Sequence, residues 1–539
     1  MRRLPRSAAA FLVFEITVRH CELPDALRNS QTGSMLPQNK ESGGVPERPQ
    51  NIPEERDTVM RKGQIYEADV IRCDYPGKGI APLEDREVGI RGALPGQKIS
   101  FRLTRKTSSK CEGLLLEVKE RAQDETESDC PHFPDCGGCL YRTLSPEAEL
   151  RLKEEQIRRM MEQTVVSDRP WFEGIYDSPD HTGYRNKMEF TFGDAYKGGP
   201  LSLGMHKSGS FYDIVCTENC RIVDEDFRRI LSAVLDYARG TNLPYFHRLT
   251  HQGYFRHLLI RKAVYTGEIL VDLVTTSQAN PDLGAFAEAV LGAIPAGTGT
   301  SASGGRIAGI LHTFNDSVAD TIHNDRTEIL RGQDFFYEKL LGLSFKITPF
   351  SFFQTNSRGA EVLYSLVRDY IGSTKDKVVF DLYSGTGTIA QILAPVAKHV
   401  TGIEIVPEAV EAARENAGLN GLDNCTFLCG DVLKVIDELK ERPDLIILDP
   451  PREGIHPKAM PKILAYGVER IVYVSCKAGS LKRDLVPLQA AGYRVERMSL
   501  VNMFPGTGHI ETVCLLKLPP VLSGISEPPA ESAGSHDSV

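Results

Sequence analysis

The stretch Asp381-Leu-Tyr-Ser-Gly385-Thr-Gly387-Thr388 decides how this chain folds. An apolar run from Val378 to Tyr383 leads into it, and a helical pattern from Thr388 to Ala397 leads out. The glycines therefore mark a tight strand-to-helix turn. The alternation continues with strand His399 to Glu404, helix Pro407 to Gly418, strand Leu445 to Leu448 and strand Arg470 to Ser475. Such a succession predicts a doubly wound, Rossmann-like α/β sheet over residues 346–518, with ligands at the carboxyl ends of its strands.

Chemistry-bearing residues fall at those ends. Gly385 and Gly387 let the backbone approach a ligand and leave the amides of the helix opening at Thr388 free. Glu404 ends the next strand 23 residues after Asp381, where an acid accepts ribose hydroxyls, and Asp431 follows the third strand. The GxGxxG spacing of dinucleotide sites is missing, so S-adenosylmethionine, which has no pyrophosphate, fits better than a nicotinamide. Asp449-Pro-Pro-Arg452 follows the fourth strand; taken alone, Asp-Pro-Pro also suits an amino-group methyltransferase, which needs no thiol. Val474-Ser-Cys476-Lys477 closes the fifth strand, with Lys477 placed to favour a thiolate, and Glu511 begins the C-terminal strand in His509-Ile-Glu511-Thr-Val513. A thiolate adding at carbon 6 of uracil would make carbon 5 nucleophilic enough to take a methyl group. A base must then remove the carbon 5 proton. Cys476 and Glu511 suit these two roles, and the target base must be looped or flipped out.

The 539 residues predict several domains, and 41% hydrophobic with 25% charged residues is an ordinary globular balance. The longest apolar run, Ala8 to Phe14, is far below the roughly 20 residues of a membrane span, so the chain is expected to be soluble with no membrane partner; a cytoplasmic monomer is the further expectation. Asn29 to Asp57 has the composition of disorder, so residues 1–59 are expected to be a disordered extension, and residues 519–539 a disordered tail. Residues 60–121 read as short strands (64–72, 87–90, 97–104 and 113–120) of an OB-like barrel. The net charge of −9 argues mildly against binding a polyanion, yet residues 61–121 hold 13 basic against 9 acidic residues. Residues 122–345 read as an α+β central domain, in which Tyr184-Arg-Asn-Lys187 could line an RNA path.

Cys130-x5-Cys136-Gly-Gly-Cys139 is poorly explained by core packing. Three close thiols suit zinc or an iron–sulfur cluster, each usually completed by a fourth ligand, for which Cys216 and Cys220 are candidates.

Taken together, residues 60–518 resemble the RNA 5-methyluridine methyltransferase family, specifically its 23S ribosomal RNA branch. The resemblance implies that residues 60–121 are a TRAM domain. It implies that Phe353-Gln354-Thr-Asn356 brings Gln354 to the cofactor and that Tyr383, Thr388, Glu404, Asp431 and Asp449 line its pocket. It implies that Cys476 is the nucleophile and Glu511 the base. It also implies a [4Fe–4S] cluster on Cys130, Cys136, Cys139 and Cys220. Two positions depart from the pattern: Ala478 stands where relatives often have proline, and Thr388 where asparagine is frequent. The activity implied is methylation of uracil C5 in 23S ribosomal RNA. The alternatives are a transfer RNA uracil methyltransferase, which the barrel and cysteine cluster speak against, and a noncatalytic RNA-binding or assembly factor.

Overall fold

The computed structural model describes residues 60–294, 304–319, 324–439 and 441–519. The expected extension, 1–59, and all but the first residue of the expected tail lie outside them. Among the described residues no helix is long and apolar enough to cross a membrane.

The sheet announced by the glycine turn has eight strands. From edge to edge they are Cys425–Cys429, Ala397–Glu404, Thr374–Leu382, Leu445–Leu448, Arg470–Ser475, Glu511–Lys517, Arg494–Asn502 and Phe172–Asp177. All neighbours pair in parallel except Glu511–Lys517, which is antiparallel to both of its neighbours. Apolar residues alternate between the two faces, as the period of two requires. Val379, Ile447, Val472 and Val474 pack with helices Ser357–Ile371, Thr388–Leu393 and Pro407–Leu419. Phe380, Ile446, Ile471 and Tyr473 pack with helices Pro146–Glu162 and Ala478–Ala490.

One strand comes from far outside the region read as doubly wound. Phe172–Asp177 extends the sheet by pairing with Arg494–Asn502, from Met498 opposite Phe172 to Asn502 opposite Asp177. Its own sequence, Phe-Glu-Gly-Ile-Tyr-Asp, carries no sign of that distant partner.

The chain between forms a seven-stranded sheet, ordered Ile214–Cys216, Leu201–His206, Lys187–Asp194, Phe255–Lys262, Glu268–Thr275, Arg306–Phe314 and Arg326–Gly332. Helices Glu225–Thr241 and Gly284–Ala293 cover it through a shared apolar core. Residues 65–120 form a six-stranded sheet in which Lys78–Leu83 lies between Arg72–Asp74 and Arg86–Arg91. Lys78–Leu83 forms a strand although it contains Gly79 and Pro82. The link between its first two strands bonds to both sides, Val70 N to Gln97 O at 2.8 Å and Ile71 N to Ile80 O at 2.9 Å, which curls the sheet around its core.

Candidate active site

The glycine turn is built as its sequence requires. Gly387, at φ +71°, precedes helix Thr388–Leu393, and a Cβ there would lie 2.5 Å from the Phe427 ring and 2.9 Å from Ala413 Cβ. Tyr383 holds φ +68°, a strained conformation for a residue with a side chain. Glu404 ties the turn to the next strand: one carboxylate oxygen accepts from Gly385 N at 2.9 Å and the other from Val406 N at 3.0 Å. Asp381 Oδ2 accepts from Ala390 N at 3.0 Å, while Asp381 Oδ1 and Ser384 Oγ are buried without a partner. Such orphaned acceptors suit a ligand carrying hydrogen-bond donors and positive charge. Asp431 caps helix Val432–Val435 through Leu433 N at 2.9 Å, and Thr388 is buried beside Thr386.

The Phe353-Gln354-Thr-Asn356 segment is fixed from two directions. Asn356 caps helix Ser357–Ile371 and donates to Met503 O at 2.8 Å. Asn186 donates to Gln354 O at 3.1 Å and to Ser357 Oγ at 2.8 Å, and Gln354's own side chain bonds the buried Tyr364.

Cys476, Glu511, Asp449 and Arg452 converge where three strands end, close enough that each carboxylate perturbs its neighbours. Burial and the nearby Asp449 raise Glu511 to about 8, and burial raises Asp449 to about 7. The Cys476 thiol is raised to about 11 by burial and by both carboxylates, against the opposing pull of Arg452. The cation that serves this thiol is therefore Arg452. Lys477, which the sequence put forward, is exposed and occupies the cap position of helix Ala478–Ala490. Arg452 was on view within Asp449-Pro-Pro-Arg452 but had no recognisable role from spacing. Tyr75, from the six-stranded sheet's second loop, gave no signal at all. It packs against the core that contains Ala478, and burial, with Glu511 and Cys476 nearby, raises its hydroxyl to about 12.

In Tyr184-Arg-Asn-Lys187 the aromatic ring is buried, while Arg185 and Lys187 are half-buried. Tyr184 is 3% exposed with its hydroxyl on Pro505 O, and Asn186 is 7% exposed in the contacts above. Both hold structure together, so neither presents a surface for stacking.

Cys130, Cys136, Cys139 and Cys220 line one small cavity, walled also by Phe133, Met188, Met205 and Ile222. Cys216 does not line it; its thiol lies toward Glu218. Burial and the neighbouring thiols raise Cys136 to about 11 and Cys139 higher still. Among the described residues no group of three or more His, Cys, Asp or Glu side chains is drawn together to hold a single metal ion.

Comparison with known proteins gives this site a family. The sequence model of the tRNA (uracil-5-)-methyltransferase family matches residues 324–518. An uncharacterized RNA methyltransferase of Clostridium tetani is 48% identical over 459 residues, covering 85% of this chain and 99% of that protein. One of Staphylococcus aureus is 31% identical over 463 residues, covering 85% and 99%. Among solved structures, Pyrococcus abyssi tRNA (uracil-54, C5)-methyltransferase in complex with S-adenosyl-L-homocysteine is similar in fold, with a TM-score of 0.65 and 23% identity over 83% of this chain and 100% of that one. The chain belongs to the RNA uracil-5-methyltransferase family and is an S-adenosylmethionine-dependent RNA methyltransferase.

Proposed function

We propose that the protein methylates carbon 5 of a uracil in 23S ribosomal RNA through a covalent adduct between Cys476 and carbon 6. The convergence of Cys476, Glu511, Asp449 and Arg452 carries this reading. S-adenosylmethionine supplies an electrophilic methyl group on a sulfonium centre. Gln354, Tyr383, Gly385, Gly387, Thr388, Glu404, Asp431 and Asp449 would hold it; the buried acids Asp381 and Asp449 and the orphaned acceptors suit its positive charge and its donors. The Cys476 thiolate, stabilised by Arg452, adds to carbon 6 and makes carbon 5 the nucleophile. After methyl transfer the Glu511 carboxylate takes the carbon 5 proton, the carbon 5–carbon 6 double bond returns and Cys476 leaves as thiolate. The described cysteines are free thiols, in keeping with the cytoplasm.

Cys130, Cys136, Cys139 and Cys220 would hold a [4Fe–4S] cluster. The four thiols line one cavity, with His132 and Arg142 also in its wall, and four thiolates are the usual donor set of such a cluster. Residues 60–121 serve as the RNA-binding TRAM barrel, residues 122–345 as the central domain and residues 346–518 as the methyltransferase domain.

A transfer RNA substrate is the second reading, favoured by the Pyrococcus abyssi transfer RNA enzyme, whose fold matches along its whole length. Two experiments test these proposals. RNA containing 5-fluorouridine should trap a denaturation-resistant adduct with the protein and S-adenosylmethionine but none with Cys476→Ala; no adduct with the intact protein would overturn the mechanism. Mapping of 5-methyluridine by mass spectrometry in cells with and without the protein separates the substrates: loss from transfer RNA alone would overturn the ribosomal one.

A further inference from the structure

The loop from Asn502 to Glu511 is gripped from outside its own sheet. Glu511 stands opposite Val501 in the strand ladder, so the loop leaves the sheet at the rung that bears this carboxylate. Its middle residue, Gly506, donates its amide to both carboxylate oxygens of Glu149, at 2.8 and 2.9 Å. The Gly506 carbonyl accepts from Leu140 N at 2.8 Å and Tyr141 N at 3.0 Å, the two residues after Cys139. Tyr184 donates to Pro505 O at 2.9 Å. Lys153, 2.6 Å from Glu149, donates to Asn502 Oδ1 at 2.6 Å and Phe504 O at 3.4 Å.

Glu149 and Lys153 are 4% and 1% exposed, one turn apart on helix Pro146–Glu162. A buried ion pair contributes little stability beyond what an apolar pair of equal volume would give. An apolar pair, however, could not bind the backbone at Gly506 and Phe504. The pair is thus better explained by what it holds than by its own energy. Gly506 suits the grip: φ is +80°, and a Cβ there would come within 2.7 Å of Arg142 Cδ.

We infer that Glu149, supported by Lys153 and Tyr184, is a positioning residue for Glu511, setting the loop whose end carries the base and so governing proton abstraction more than methyl transfer. The inference rests on the roles proposed above for Cys476 and Glu511. In the step concerned, Glu511 takes the carbon 5 proton, the carbon–hydrogen electron pair becomes the carbon 5–carbon 6 bond, and the carbon 6–sulfur bond breaks to release the thiolate. A displaced carboxylate slows this step and leaves nucleophilic addition and methyl transfer nearly intact.

The test is a single turnover of the full chain with uridine RNA and methyl-labelled S-adenosylmethionine, read as label in denaturation-resistant adduct and label in free RNA. Glu149→Gln is expected to transfer label within about threefold of the parent but to release it about tenfold or more slowly, so that labelled adduct accumulates. Tyr184→Phe is expected to do the same by about threefold, and it carries the test alone if Glu149→Gln does not fold. Equal slowing of transfer and release, or release at the parent rate while Glu511→Gln accumulates adduct, overturns the positioning role alone. Absence of adduct in Glu511→Gln itself overturns the reading on which the inference rests.

Discussion

Two groups of cysteines in this protein share one side chain and differ in everything around it. Cys476 stands alone among carboxylates with one cation, Arg452, against it. Cys130, Cys136, Cys139 and Cys220 stand around a cavity with one another for neighbours. Burial is the first cause that raises the thiol in both places, Cys476 and Cys136 alike to about 11; what differs is the charge added to it, two carboxylates at the first and neighbouring thiols at the second. Each therefore needs positive charge to ionise. At Cys476 a side chain and a sulfonium can supply it, and in the cavity a metal cluster can. Residue type names the chemistry a cysteine is capable of; the charge around it selects which chemistry occurs.

The comparison breaks most sharply at the nucleophile. On the proposed roles, Cys476→Ala is expected to lower methylation at least about a thousandfold while leaving any iron and acid-labile sulfide at parent levels. The opposite pattern is expected of Cys139→Ser: iron and sulfide lost, and stability reduced by several kcal/mol as seen in thermal melting. Arg452→Met should slow adduct formation on 5-fluorouridine RNA by about ten- to a hundredfold, with partial recovery in Arg452→Lys, because it removes the cation opposing two carboxylates. Metal content in that variant should not change. The smallest effect is a pH slope. Burial favours the protonated forms of Asp449 and Glu511, so their contribution to stability is complete below the ordinary carboxylate range and is lost as pH rises through about 7 and about 8. The cofactor-free protein should then melt lower at about pH 9 than at about pH 6, and Glu511→Gln should flatten that difference.

Much of the catalytic sheet was legible because strand and helix periods alternate there with glycine between them. The strands Leu445–Leu448 and Arg470–Ser475 lie where the apolar runs predict. Residues 148–163 carry a helical pattern with dense charge, and helix Pro146–Glu162 lies there, its cap Ser145 Oγ accepting from Ala148 N at 3.2 Å. What stayed hidden depends on contacts between distant residues. Lys477 is next to Cys476 in sequence, yet Arg452 is next to it in space. Tyr184 has the composition of a stacking platform, but only the fold reveals Pro505 above its hydroxyl. Glu149 and Lys153 look like one more solvated pair on a charged helix, and nothing in their spacing tells that both are buried. Local pattern records which residues share a face; it does not record what that face meets.

The strand Phe172–Asp177 has a consequence for how this protein can be divided. The family match begins at residue 324, but the sheet it describes ends on a strand drawn from some 150 residues earlier. A fragment beginning at the match would expose the backbone edge of Arg494–Asn502, the strand that leads to Gly506 and Glu511. The segment that the family model describes is thus smaller than the unit that forms one sheet. Grafting the catalytic half onto another RNA-binding partner would succeed only if the chain were allowed to travel back and lend that final strand.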